Sequence, residues 1–216
     1  MADEKKKQSI DPATLEMIEK AAKDGVSTVF ERGAKMLPCP IGAEGSCCAH
    51  CAMGPCRIPL PRNKQETPEE HAKRRGVCGA TSETIAARAF LRKIAAGTAS
   101  HGDHGREVTK IFIEAAKGKI KDFAIKDEQK LLQLALELGV KIGDRSNNEI
   151  AVDVGEILME DFGRQEGELV FIKRAPIKRQ ELWRKLGVVP RGIDREVSEA
   201  LHRTHMGCDQ DYQDLL

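Results

Sequence analysis

Five of the chain's seven cysteines, Cys39, Cys47, Cys48, Cys51 and Cys56, fall within eighteen residues, and Cys78 follows with Gly76 and Gly79 close on either side. Disulfide frameworks usually spread their cysteines along a chain, whereas clustering of this density points to metal ligation. Cys48-x-x-Cys51 lets two thiolates reach one centre from a single turn. Cys56 comes after four intervening residues, and Cys78 arrives from a distance. Three close ligands plus a remote one is a common way to hold a four-iron, four-sulfide cubane. The surrounding Gly and Pro residues permit tight turns that aim backbone N–H groups at the sulfurs, which favours the reduced, more negative cluster. Arg57, next to Cys56, places a positive charge in the same stretch, unless it is simply solvated.

Cys39 and Cys47 are then left over. Adjacent Cys47 and Cys48 cannot easily ligate one cluster, because neighbouring side chains in extended backbone point apart. Two cysteines alone cannot close a four-iron cluster. A second copy of the chain is therefore expected to supply the other two, with the cluster on a two-fold axis. A zinc-stabilised structural module is the alternative from another class, but zinc knuckles come as paired C-x2–4-C units, and only part of that pattern is present. A redox C-x-x-C would open a helix after a strand, and no strand is expected before Cys48. His50 lies inside the loop and is expected beside the ligands or in solvent, since the cysteines suffice. Cys208, in HMGCDQD, is expected to be a buried thiol that packs as a small apolar group.

These residues need a scaffold, and the composition says it is helical. Aromatic residues make up 4% of the 216, while helix formers abound. Lys and Arg total 35 against 34 for Asp and Glu, giving a net charge of +1, so no charge excess points to nucleic acid or an anionic membrane surface. No apolar run reaches the length of a membrane span. The start, MADEKKKQSIDP, lacks the apolar segment of a secretory signal, and a cytoplasmic location is expected. The expected fold is all-α: an N-terminal helix over 1–36, a long cysteine-rich loop over 37–80 and a helical domain over 81–216. Asp11-Pro12 opens a helix expected to run to about Lys35. Thr81 or Ser82 caps a second to about Gly97, with a continuation from His101. Asp127 opens a helix ended by Gly139, and Asn147 or Asn148 opens another. The LALEL and AVDVGEILM stripes are core. ELVFIKRAP reads as a strand, a helix follows Pro176, and Asp194 caps the next. The last residues, DYQDLL, lack a stop signal, so the sequence is expected to be part of a longer protein.

The strings PCPIGAEGSCCAHCAMGPCR, GVCGAT around Cys78, IAAGTASHGDHG and ALHRTHMGCDQD resemble, in order and over essentially the whole chain, the nickel–iron carbon monoxide dehydrogenases of anaerobes. The hybrid-cluster (prismane) proteins are more distantly similar and lack the double-cysteine string. The resemblance implies a homodimer whose N-terminal helical domain precedes two α/β domains. It implies that Cys48, Cys51, Cys56 and Cys78 hold the intrasubunit B-type 4Fe-4S cluster. It implies that Cys39 and Cys47 share a D-type cluster, 4Fe-4S or 2Fe-2S, with the second copy. Electrons from CO oxidation, CO + H2O → CO2 + 2 H+ + 2 e−, would pass to a ferredoxin-like acceptor, and acetyl-CoA synthase is a possible further partner. The family's nickel-containing C cluster uses ligands of the later domains, so no catalytic residue is expected in this sequence, which alone should be inactive. The family also carries a histidine ladder, proposed to conduct protons. Here His101 and His104 stand three apart, but Glu107 and Lys110 occupy the next two steps. The pair reads either as a shortened proton relay, which a near-neutral pKa suits, or as two surface histidines. A stand-alone iron–sulfur carrier or regulatory subunit is the runner-up for the whole chain.

Overall fold

The computed structural model describes residues 8–37, 39–59 and 65–216. The charged start through residue 7, Pro38 and residues 60–64 of the cysteine loop lie outside them. The fold is all-α as expected, and the two strands among the described residues are two residues each. Among the described residues no helix is long and apolar enough to cross a membrane. The chain divides into two compact units, Met1–Ser46 and Cys47–Leu216.

In the first unit, helix α1 (Pro12–Lys23) starts as the sequence indicates: Asp11 accepts the Thr14 N–H at 2.8 Å and Pro12 holds the first helical position. The helix expected to reach Lys35 is two. Gly25, at φ 69°, ends α1, and Thr28 with Glu31 forms a capping box that starts α2 (Val29–Ala34). Cys39 stands at the N-cap position of a four-residue turn, α3 (Pro40–Ala43).

The second unit begins with a small antiparallel hairpin. Strand β1 (Cys47–Cys48) pairs with β2 (Cys56–Arg57). Helix α4 (Pro68–Lys73) follows, opened by a Thr67/Glu70 capping box. The expected irregular loop therefore holds short ordered pieces wherever a cap or a cross-strand pair is available. Helix α5 (Ser82–Ala116) runs unbroken for 35 residues from the Thr81 cap, so no interruption occurs at Gly97. Its partners are α7 (Asn147–Gly163, capped by Ser146) and α9 (Ile193–Arg203), while α6 (Glu128–Leu138) packs on α7. Ala116, Leu131, Ala135, Leu138, Ile150, Ala151 and Val154 form the core there. Leu136 of the LALEL stripe is exposed.

Two expectations fail locally. Val170–Arg174 is a 3₁₀ turn, not a strand. The buried Asp161 carboxylate accepts the N–H groups of Val170 (3.1 Å) and Phe171 (3.0 Å), which turns this β-prone run back on itself. Gly192, not Asp194, sits at the N-cap of α9, and Asp194 falls in its first turn. Helix α8 (Ile177–Leu186) ends at Gly187, and α10 (Tyr212–Leu215) closes the chain against α5.

Candidate metal centre

The hairpin register organises the cysteines. Cys48 pairs with Cys56 and Cys47 with Arg57. Directly opposite residues bring their side chains together on one face, and successive residues face opposite ways. Cys48 and Cys56 are accordingly half-buried side by side, and Cys47 and Arg57 are exposed. Between the strands the chain turns through Cys51. Gly54 comes so close to the preceding turn that a Cβ there would stand 3.2 Å from the Cys48 carbonyl oxygen and 3.3 Å from that of Cys51. Cys78 enters from a separate turn, closed by Gly76 N–H donating to the Ala80 carbonyl (2.8 Å) and Gly79 N–H to the Gly76 carbonyl (2.9 Å).

Cys48, Cys51, Cys56 and Cys78 all line one recess, together with His50 and Arg88. Buried Ile58, Ala80 and Ile85 form an apolar cluster against Cys48 and Cys78. The far wall comes from Thr204 and Met206, beyond α9. Among the described residues no three His, Cys, Asp or Glu side chains converge as one metal ion would require. The four thiols instead surround a space.

N–H groups face the sulfurs. Burial, the largest influence, pushes the Cys48 thiol up, opposed by a bond from the His50 amide and by the Arg88 charge. At Cys78 burial pushes the same way but is outweighed. Bonds from the Arg88 guanidinium, the Ala80 amide and the Gln210 side chain hold this thiol below its ordinary value. A thiolate is the form that ligates metal, and the bonds at Cys78 favour it. His50 is half-buried at the rim, its pKa pushed down first by burial and then by the Arg92 and Arg88 charges. Four thiols, inward N–H donors and a buried guanidinium suit an anionic iron–sulfur group in donor type and in charge.

Sequence reasoning gave no place in the site to Arg88 or to the segment 204–211. Arg88 is only 2% exposed. Its Nη1 lies 3.5 Å from the Cys78 sulfur and its Nη2 donates to the Asp209 carbonyl. Gln210 Nε2 donates to the Cys78 carbonyl at 2.9 Å, the Thr84 hydroxyl to the Gln210 carbonyl at 2.8 Å, and Arg92 Nε to the Thr204 hydroxyl at 2.9 Å. A usable signal existed: Arg88 follows Thr84 and Ile85 at helical spacing, a charge on the buried stripe of α5.

The other expected residues lie elsewhere. Cys39 is exposed in the first unit. His101 and His104 are exposed on α5, where Glu107 bonds Lys110 at 2.8 Å. Cys208 is exposed rather than buried, because it sits in the turn after α9, its thiol 3.7 Å from the Met206 carbonyl.

Residues 46–216 match the model of the Prismane/CO dehydrogenase family. The chain is 43% identical over 210 residues to carbon monoxide dehydrogenase 1 of Methanosarcina mazei, covering 97% of this chain and 32% of that protein. It is 37% identical to the carbon monoxide dehydrogenase/acetyl-CoA synthase subunit beta of Moorella thermoacetica, covering 100% of this chain and 32% of the other. The chain thus spans about a third of the length of these relatives. Among solved structures it is similar to the nickel-free carbon monoxide dehydrogenase of Thermococcus sp. AM4 (TM-score 0.78, 42% identity, 96% of this chain and 32% of that one). It is also similar to an acetyl-CoA synthase/carbon monoxide dehydrogenase described for NiZn[Fe4S4] and NiNi[Fe4S4] clusters in its alpha subunits (TM-score 0.76, 39% identity, 96% and 30%).

Proposed function

The chain belongs to the Prismane/CO dehydrogenase family, and from that premise we propose that it is the electron-relay and dimerisation part of an anaerobic nickel–iron carbon monoxide dehydrogenase. The observation that carries this reading is the meeting of Cys48, Cys51, Cys56 and Cys78 on one recess. These four hold a B-type 4Fe-4S cluster. Cys39 and Cys47 join the same pair of a second copy around a D-type cluster of four or two irons. Such clusters supply one-electron chemistry, with potentials set by net charge, hydrogen bonds to sulfur and solvent exposure.

The chain's own residues prepare that chemistry. Ile58, Ala80 and Ile85 keep water from one side of the recess. The amides of His50 and Ala80 donate toward the Cys48 and Cys78 sulfurs. In the whole enzyme, CO + H2O → CO2 + 2 H+ + 2 e− takes place at a nickel-containing site outside this chain, in the reducing cytoplasm. The electrons leave through this part to a ferredoxin-like acceptor. Acetyl-CoA synthase is a further partner, a reading supported by the naming of the Moorella relative.

An assembly role has separate support. Phe90, Ile94, Val108 and Ile111 of α5 are 42–55% exposed. With Gly97, His101 and His104 they follow the alternating four-and-three spacing of a helix seam. A pair of histidines within a seam that a neighbour covers is placed to pass protons along it.

The test is electron transfer by the anaerobically purified chain. After reduction with dithionite and removal of the excess it should give the EPR signal of a reduced iron–sulfur cluster, and adding an oxidised ferredoxin should replace that signal with the ferredoxin's own. A colourless protein carrying stoichiometric zinc would overturn the reading.

A further inference from the structure

Arginine side chains are seldom fully buried without a paired charge, because desolvating the cation is costly. Arg88 is 2% exposed, and it is among the largest fully buried side chains of the chain. Its protein partners are the Cys78 thiol and the Asp209 carbonyl, neither of them a carboxylate. Among the described residues its Nε, also buried, has no partner at all. The guanidinium lines the same recess as the four thiols. A buried cation with donor capacity left over, set in the wall of a recess, needs an anion there.

The group is held firmly. The Asp209 carbonyl that takes Nη2 belongs to a residue whose carboxylate is gripped by Arg203, at 2.9 Å from Nε and 2.5 Å from Nη2. The next residue, Gln210, is bonded to both Thr84 and the Cys78 backbone. Cys78, Arg88 and 209–210 therefore form one braced unit joining the start of α5 to the end of the chain.

Resting on the four-cysteine reading above, we infer that Arg88 is the residue that sets the reduction potential of the group held by Cys78, as a fixed positive charge and sulfur-directed N–H donor. Reduction adds one negative charge to that group. A nearby cation and an N–H···S bond stabilise the reduced form and raise the potential. Residues just outside the ligands tune metal centres in this way.

The experiment is a redox titration of the anaerobically produced chain, following the EPR signal that Cys78→Ser abolishes. Arg88→Gln removes the charge and should shift the reduction equilibrium at least tenfold toward the oxidised form, about 59 mV lower for a one-electron couple. Arg88→Lys keeps the charge and should recover most of the shift. An unchanged potential in an iron-loaded Arg88→Gln protein would overturn the inference and leave the cluster reading intact. Loss of iron from both variants would also overturn it, since Arg88 would then be a structural brace. A wild-type protein without any iron–sulfur signal would instead overturn the cluster reading itself.

Discussion

The part played by a cysteine here depends on which way its backbone turns it. Cys47 and Cys48 are chemically identical neighbours, yet the hairpin register turns one outward and the other toward Cys56. That division was legible in the sequence, because alternation in extended backbone is a property of the chain itself. Gly54 makes the packing of the turn possible. In Gly54→Val the added atoms meet the backbone carbonyls of Cys48 and Cys51, which cannot step aside as a flexible side chain can. We expect that variant to retain less than half the wild-type iron on anaerobic purification, measured per chain. Cys208→Ser should keep full iron and an unchanged visible spectrum, because its thiol is exposed in the turn after α9. Cys78→Ser should lose the four-iron signal, and an unchanged spectrum would refute its role as a ligand. Arg88 was overlooked although it falls on the buried stripe of α5, because a lone arginine within a helix normally reads as solvent-facing. Only its remote partner, the Asp209 carbonyl, and the bonds that hold Gln210 to Thr84 and Cys78 show why it is buried.

At the scale of elements, caps were read well and glycines less so. Asp11, Thr81, Asp127 and Gly139 act as their types suggest. Gly97 and the glycines after it suggested a break in α5, but two of them serve close packing instead. A Cβ on Gly102 would stand 2.8 Å from Ile193 of α9, and one on Gly105 would stand 3.1 Å from Phe162 of α7. The sequence cannot distinguish a glycine that stops a helix from one that lets a neighbour approach, because the neighbour is remote in the chain. Two substitutions separate these roles. Gly155→Ala on α7 would place its Cβ 2.4 Å from the Cγ1 methylene of the buried Ile113 side chain. Overpacking of that kind costs about 1–3 kcal/mol, against a gain of about 1 kcal/mol in helix propensity, so a net loss of stability is expected. Gly97→Ala meets nothing within 4 Å in its own chain and should stabilise the dissociated chain by up to about 1 kcal/mol. Urea unfolding of both variants reads the two signs directly. The run ELVFIKRAP misled for a related reason: its β-branched and aromatic residues favour a strand, but the Asp161 carboxylate takes its N–H groups instead.

For the molecule as a whole, family membership was legible because the cysteine string is so specific, and the model match over residues 46–216 agrees with it. Assembly is harder to read, because a site shared between two copies would leave only half its ligands in either one. Under the proposed function Cys39 and Cys47 supply that half, and the other four cysteines hold a site complete within the chain. The measurement that tests this division most directly is iron and acid-labile sulfide per chain, with Mössbauer spectra, for wild type and for Cys39→Ser/Cys47→Ser. The double variant should lose the shared cluster and keep about four irons per chain in a 4Fe-4S spectrum. Loss of all iron from the double variant, or iron content and spectra identical to wild type, would contradict the division.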